Sequence, residues 1–426
     1  MFRRTLVATL LAALAAHAQD VPPAEGTADA GTAPTAPVTP EPKAEQAAST
    51  APAPITWPSS FTFGPGITVS PVAYVEADYS FNFNQPSNGV TNFRGFDNRH
   101  NSFTLQNVAL GGAITGGPLG AKLVLQVGHT PSTYYLAEPA AAGAGGANAS
   151  DANLWKYVQE AFVTYKAPLG NGILLQLGLC ASPIGLEVIP VKDNWNWSRS
   201  DLFFGLPFYH VGLRATYEWT DRLSTTVSLF NGWNSVVDNN DGKSVQANVT
   251  YKIPDTFYVT LLYFGGPERA KGAPEGQHWR HHFDLTTQVD PTRWLTFAGQ
   301  GDVGWESTNL GLSYWVAGAV YARVHPLDWL AFTVRGDVFH EKLGSSSEGT
   351  ASAIFWSGAE LIGSITGTVD VRPHPNLSLR LEYRHDLASA PLFFSGAVDG
   401  DGSAATPYVP NAQSQDTLLL GVTTWF

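Results

Sequence analysis

The chain has 426 residues, of which only 14% are charged and 12% aromatic, with 42 Gly and a formal net charge of −12. An acidic balance of this size excludes the basic footprint expected of a nucleic-acid binder, and no run of 18 apolar residues is present to make a membrane helix. Charge this sparse, against roughly 25% in a soluble domain, suits membrane β-structure, in which half of each strand faces lipid.

Arg3 and Arg4 precede a short apolar stretch, Leu6 to Ala16, and an A-x-A site at Ala16–His17–Ala18. This is the pattern of a secretory signal peptide over residues 1–18. Residues 19–66 are rich in Ala, Pro, Thr and Glu and carry no sustained apolar pattern. They bury too little surface to offset the entropy of ordering, so they read as a disordered periplasmic linker. Residues 67–426 read as a transmembrane β-barrel.

The first strand spans about 69–84: Ala73, Val75, Ala77, Tyr79 and Phe81 alternate with Tyr74, Glu76, Asp78, Ser80 and Asn82. A period of two marks a strand with one apolar and one polar face. The strand near 102–115 changes phase around Asn107, which suggests a bulge. Clean alternation follows at 211–217, 245–251 and 330–338, and again at 377–386, while 312–325 is ambiguous because Ala and Gly occupy both faces. The last strand, Asp416 to Phe426, closes on Trp425 and Phe426 and is expected to pair with 69–84.

Connections alternate short and long without exception in this reading. Long ones fall near 85–101, 129–153, 181–207, 234–243, 266–279, 306–311, 342–358 and 387–413. Seven short turns and eight long loops give an all-β, 16-stranded antiparallel transmembrane β-barrel of the outer-membrane porin type, both ends on the short-turn, periplasmic side. Tyr165, Trp219, Tyr251, Phe257, Trp294 and Trp329 sit beside short turns, as an aromatic girdle at the headgroups should. A barrel of this size leaves a water-filled lumen.

The third long loop, Ser182 to His210, is too rich in apolar and aromatic groups for a free solvent loop. It is expected to fold inward and narrow the pore, with Glu187, Lys192, Asp193, Arg199 and Asp201 setting charge selectivity. The alternative is that its aromatics cap the barrel or meet a neighbouring subunit. On the wall, Glu76, Asp78, Glu160, Glu218, Asp284, Asp302, Asp337, Glu341, Glu382 and Asp386 should face the lumen. So should Arg214, Lys252, Arg335, Arg372, Arg380 and Arg384. Acids outnumber bases in this set, which predicts mild cation preference, although Arg380 and Arg384 with Arg335 could form a ladder favouring anions.

Cys180 reads as an inert thiol, since no His/Asn pattern accompanies it. His281 and His282 are adjacent and point to opposite faces of a strand, so they are poorly placed to share a metal. No G-x-S-x-G elbow, P-loop or zinc signature occurs, so no catalytic residue, cofactor or metal is expected.

The segments FRGFDNRHNSFTLQNVAL (93–110), VQEAFVTYKAPLGNGILLQLG (158–178), SPIGLEVIP (182–190), NWNWSRSDLFFGLPFYHVGLRATY (194–217), LRLEYRHD (379–386) and the final WF carry a resemblance. They are similar to the OmpL-like β-barrel porin family of bacterial outer membranes. The resemblance implies an outer-membrane barrel with pore activity, and the strand count, the charged inner face and the third loop point to a diffusion channel for small polar solutes or ions. Its partners would be outer-membrane lipids, the barrel-assembly machinery and, in one expected assembly, two further copies in a homotrimer. An outer-membrane lipid hydrolase and an adhesive barrel with a plugged lumen are the alternatives.

Overall fold

The computed structural model describes residues 59–64, 66–135, 138, 152–355 and 359–426. The expected signal peptide and most of the expected linker lie outside the described residues. One sheet contains seventeen strands. A lead strand of three residues, Phe61–Phe63, pairs with the start of the next, and the other sixteen form the barrel. In chain order these are β1 (Ile67–Asn82), β2 (Ser102–Gly116), β3 (Leu119–Val127), β4 (Val158–Ala167), β5 (Ile173–Ala181), β6 (Tyr209–Glu218), β7 (Leu223–Phe230) and β8 (Ser244–Ile253). They continue as β9 (Phe257–Pro267), β10 (Trp279–Thr292), β11 (Leu295–Thr308), β12 (Gly311–Leu327), β13 (Leu330–Lys342), β14 (Leu361–His374), β15 (Leu377–Ala388) and β16 (Ser414–Trp425).

Each strand pairs antiparallel with the next, and β16 closes the ring against β1, from Thr417 opposite Asn82 to Trp425 opposite Tyr74. Closure leaves no unpaired edge along most of the seam, the requirement for strands in a medium without water. The bulge expected near Asn107 is present: Glu76 faces Asn107 and Ala77 faces Leu105, so Gln106 is the extra residue. Gln106 and Asn107 are consequently both buried on the inner side. The ambiguous strand is β12, where Trp315, Ala317, Ala319 and Tyr321 turn inward and Val316 and Val320 outward.

One expected loop is corrected. The sixth connection on the long-loop rim is not a loop over 306–311 but the two residues Asn309 and Leu310, with Thr308 paired to Gly311. The polar ends of β11 and β12 stay in the ladder, and the Thr308 hydroxyl donates to the Gly311 carbonyl at 2.8 Å. The long-loop rim therefore carries seven extended loops and one tight turn.

The burial pattern is that of a soluble protein turned inside out. Phe103 is 85% exposed and Val320 68% exposed, whereas Arg335 and Arg380, inside, are both at 0%. An outer surface this apolar around the whole ring has lipid as its natural solvent. Tyr165, Trp219, Tyr251, Trp294 and Trp329 all stand exposed beside short turns, as the girdle requires. The interior is filled toward the long-loop rim. Phe264, Trp315 and Phe339 from the wall pack there with Ile184, Leu202 and Leu206 from the third loop and with Trp233 and Phe393 from other loops.

Candidate functional site

Loop 3, residues 182–208 between β5 and β6, runs inside the barrel. Its local structure comes from self-bonding. The Asn194 side chain accepts from Val188 N at 2.9 Å and donates to Val188 O at 2.7 Å, closing a hairpin-like bend. Ser200 caps the short helix α1 (Asp201–Phe204), its hydroxyl accepting from Phe203 N at 3.1 Å. Leu202 joins the apolar cluster described above, and Phe203 joins a second one with Phe96, Tyr134, Tyr135 and Tyr209. The apolar side chains of the loop are thus divided between two clusters.

Most of the loop's bonds run to β1 and β13–β15, with a further one from Leu186 N to the Gln300 side chain of β11 at 2.9 Å. Glu187 pairs with Arg335 at 2.8 Å and also accepts from Ser200 N and Oγ. Asp201 pairs with Arg384 at 2.7 Å, while its backbone N–H donates to Asp337 at 2.8 Å. Glu382 accepts from Trp197 N at 2.6 Å and Ser198 N at 2.9 Å. Glu76 accepts from Val191 N, and Asp78 from the Trp197 indole at 3.1 Å. In the reverse direction Arg335 donates to Ser198 O and Arg380 to Val191 O and Asn196 O. Carboxylates thus hold the loop's N–H groups and guanidiniums hold its carbonyls. This satisfies backbone that would otherwise be buried without partners.

This geometry divides the sequence-predicted residues into two groups. Glu76, Asp78, Asp337, Glu382, Arg335, Arg380 and Arg384 face inward as expected, but they are sealed beneath loop 3 rather than bordering water. Counting them as pore-lining charge is corrected accordingly. The Arg335–Arg380–Arg384 ladder is the fastening of the loop. Arg199 is buried too, donating to the carbonyls of Val188, Ile189 and Trp197, with its guanidinium over the Phe96 ring at 4.8 Å. Arg214 is half-buried near Cys180, 3.5 Å from its sulfur. Cys180 itself is a buried free thiol.

Lys192 and Asp193 behave differently. They pair with each other at 2.8 Å, and Asp193 is exposed. Both border a cavity of about 440 Å³ between loop 3 and the wall of β1, β3 and β4, at Tyr74, Lys122, Gln159 and Glu160. Lys122 and Glu160 form an ion pair across β3 and β4. On the other flank a cavity of about 120 Å³ is lined by Glu187, Asp193, Trp195, Tyr258 and Gln288. Trp195 and Gln288 also line a further cavity of about 370 Å³ toward the short-turn rim, with Arg323 and Arg372. Sequence reasoning missed Trp195, Gln288 and Arg323. Arg323 lies on β12, whose mixed Ala and Gly faces hid the alternation that would have assigned it.

His281 and His282 take opposite faces. His281 lies 2.9 Å from the Tyr263 hydroxyl and stacks on Trp305, whereas His282, fully buried, lies 3.1 Å from Asp302. Near the outer loops, burial alone would raise the Asp97 carboxyl, but Arg94 and Arg384 outweigh it and hold it below the usual carboxylate range.

Sixteen strands closed on themselves, apolar outside and charged within, with a long loop tucked into the barrel, define the porin class of outer-membrane barrels. Residues 67–426 match the family described as "Putative beta-barrel porin-2, OmpL-like", and the chain belongs to that family. Among solved structures it is similar to the anion-selective porin from Comamonas acidovorans, at 11% identity and a TM-score of 0.54, with 84% of this chain and 100% of that one covered. It is also similar to the outer membrane channel DcaP of Acinetobacter baumannii, at 12% identity and 0.52, covering 86% and 100%. A third likeness is to OmpT of Vibrio cholerae in its trimer form, at 9% identity and 0.52, covering 85% and 100%. At these identities the likeness is one of fold. No curated protein sequence matches the chain. Family and fold make it a channel protein of the outer membrane.

Proposed function

We propose that the chain is a non-enzymatic diffusion channel for small polar solutes or ions, narrowed by loop 3, with its aqueous path beside the loop rather than through the charged wall beneath it. The observation that supports this reading is the uneven fastening of the loop. Its bonds are concentrated on β1 and β13–β15 and leave Lys192, Asp193 and Trp195 bordering cavities on its flanks. The residues that bear on selectivity in this reading are Lys192 and Asp193. A homotrimer is the expected assembly, the form in which the V. cholerae OmpT neighbour is described.

A hydrolase reading would start from Ser182 and His210, whose Oγ and Nε2 are 3.2 Å apart. His210, however, is fully buried between the Phe230 and Phe264 rings, and its other nitrogen lies 3.0 Å from the Gly232 carbonyl. A base without access to solvent or lipid does not support hydrolysis of an external ester.

The test is planar-bilayer recording on refolded protein. Discrete conductance steps, with single-channel currents that fall as probe solutes grow in size, are expected. A folded barrel that inserts and stays silent would overturn the channel reading.

A further inference from the structure

Most of the buried guanidiniums inside the barrel are matched by acids of their own. Arg335 has Glu187 and Asp337, Arg384 has Asp201 and Asp386, and Arg94 has Asp97 and Asp386. Arg199 is held by backbone carbonyls instead, and a further group shares a single acid. Arg323 on β12, Arg372 on β14 and Arg380 on β15 all converge on Oδ2 of Asp370, at 3.7, 3.1 and 3.8 Å. The other Asp370 oxygen is taken by the Ser378 hydroxyl at 2.6 Å. Three cations thus share one carboxylate oxygen. Among the described residues, Arg323 Nε and Arg380 Nη2 are enclosed yet have no hydrogen-bond partner.

This cluster borders a real space. Arg323, Arg372 and Asp370 line the cavity of about 370 Å³ on the short-turn side of loop 3, together with Trp195, Gln288, Thr296, His325 and the rim residue Asp328. The adjoining strands β10 and β11, where Thr296 is the cross-strand partner of Arg323, are polar and self-satisfied. Asp290 there already accepts from Gln288 at 3.0 Å and from Thr296 at 2.6 Å. Asp290 is thus held by its own strand neighbours, and the guanidiniums of Arg323 and Arg372 are left to face the cavity. The Arg323 guanidinium also lies over the half-buried Trp195 ring, 5.7 Å from its centroid. A flat apolar surface is thereby placed next to the unneutralised charge.

We infer that this cavity is an anion-binding subsite of the channel that takes small organic carboxylates from the passage beside loop 3. Guanidiniums offer planar paired donors that match a carboxylate, and the ring accommodates the apolar body such an anion carries. Only part of the cationic excess is balanced, because Asp370 is already spent on Ser378 and on the fold. The subsite rests on the diffusion-channel reading, and the experiment separates the two.

The full-length protein is recorded in planar bilayers under a KCl gradient, and potassium benzoate is then added to one side at a time. Benzoate should reduce the open-channel current, more strongly from the short-turn side. The double variant Arg323→Gln/Arg372→Gln should weaken that block about tenfold or more, the loss expected for two charge-assisted contacts. Arg222→Gln, a charge removed from an exposed turn, should leave it unchanged. Conductance steps with equal benzoate block in wild type and double variant would overturn the subsite while leaving the channel intact. If the barrel is silent, the channel reading fails. Calorimetric titration of the refolded protein with benzoate then decides the subsite, by the same comparison of variants. Binding of inorganic phosphate without binding of benzoate would overturn the assigned ligand class. If the double variant does not fold, Arg372→Gln alone, at the more exposed of the two guanidiniums, carries the comparison.

Discussion

Gly421 on β16 shows how closely one residue can set the course of loop 3. A Cβ built on it would stand 2.3 Å from the Trp197 ring, which lies against that stretch of backbone. The Trp197 indole N–H then donates to Asp78, and the Trp197 backbone N–H donates to Glu382. Gly421→Ala should push the ring off the wall at a cost of about 1–3 kcal/mol, the range for overpacking. A lower denaturant midpoint at unchanged slope would report it; an unchanged midpoint would mean that the ring is not held there. Glu268, in the outer loop after β9, makes a second prediction at this scale. Burial pushes its carboxyl up to about 7, against the opposing pull of Arg280, the Ser244 hydroxyl and Trp233 N. A pKa raised in the folded state means that the protonated form favours the fold. The cost of burying the charged form is therefore absent below about 4.5 and is felt in full only as pH rises through about 7. The folded chain should be more stable at pH 5 than at pH 8 by an amount that Glu268→Gln reduces, read as the difference between denaturant midpoints at the two pH values. An equal pH dependence in the native chain and in Glu268→Gln would refute this role.

At the scale of elements, loop 3 behaves as a strap rather than a free constriction. Arg384→Gln would leave Asp201 buried without its cation. Removing one member of a buried pair costs about 3–5 kcal/mol. The expected outcome is a barrel that still closes but whose loop is released: larger, noisier single-channel currents and new protease cleavage within 182–208. A quiet channel of native conductance would show that the strap does not depend on this pair. The strap also marks how far the chain could be read in advance. Period-two alternation located the strands, and a phase change located the bulge at Gln106, because both are local patterns. The fastening was not legible, since Glu187 and Arg335 are 148 positions apart and Asp201 and Arg384 are 183 apart. Nothing near either member distinguishes an acid that binds a guanidinium from one that faces water. The turn at Asn309 and Leu310 was read as a loop because the strand ends beside it, from Glu306 to Ser313, carry the polar residues that loops carry. Here they stay paired in the ladder instead.

At the scale of the whole molecule, selectivity and stability become separable properties. Lys192 and Asp193 form a partly exposed pair beside the cavities, so Lys192→Gln and Asp193→Asn should each change stability by no more than about 0.5 kcal/mol. Their effects on ion selectivity should nonetheless be of opposite sign: Lys192→Gln toward cations and Asp193→Asn toward anions, read as reversal potentials in a KCl gradient. Arg199→Ala and Asp201→Ala should instead act mainly on stability. If reversal potentials move with the latter pair and not the former, the passage runs on the other side of the loop.

The seam between β1 and β16 has a bearing on how the barrel comes into being. Its side-chain contacts join residues as far apart as Asn82 and Gln415, 333 positions along the chain. Every other neighbouring pair of strands is joined by a hairpin or a single loop. The seam alone must wait for both ends, and it carries the largest loop-closure entropy in the molecule. Below Trp425, where β16 stops, β1 continues through Ile67–Val69 and would present bare N–H and C=O groups. Phe61–Phe63 folds back and occupies that stretch. Because that small hairpin is local, it can form as soon as β1 does, so one end of the slowest joint is already covered while the rest of the ring is still open to another chain.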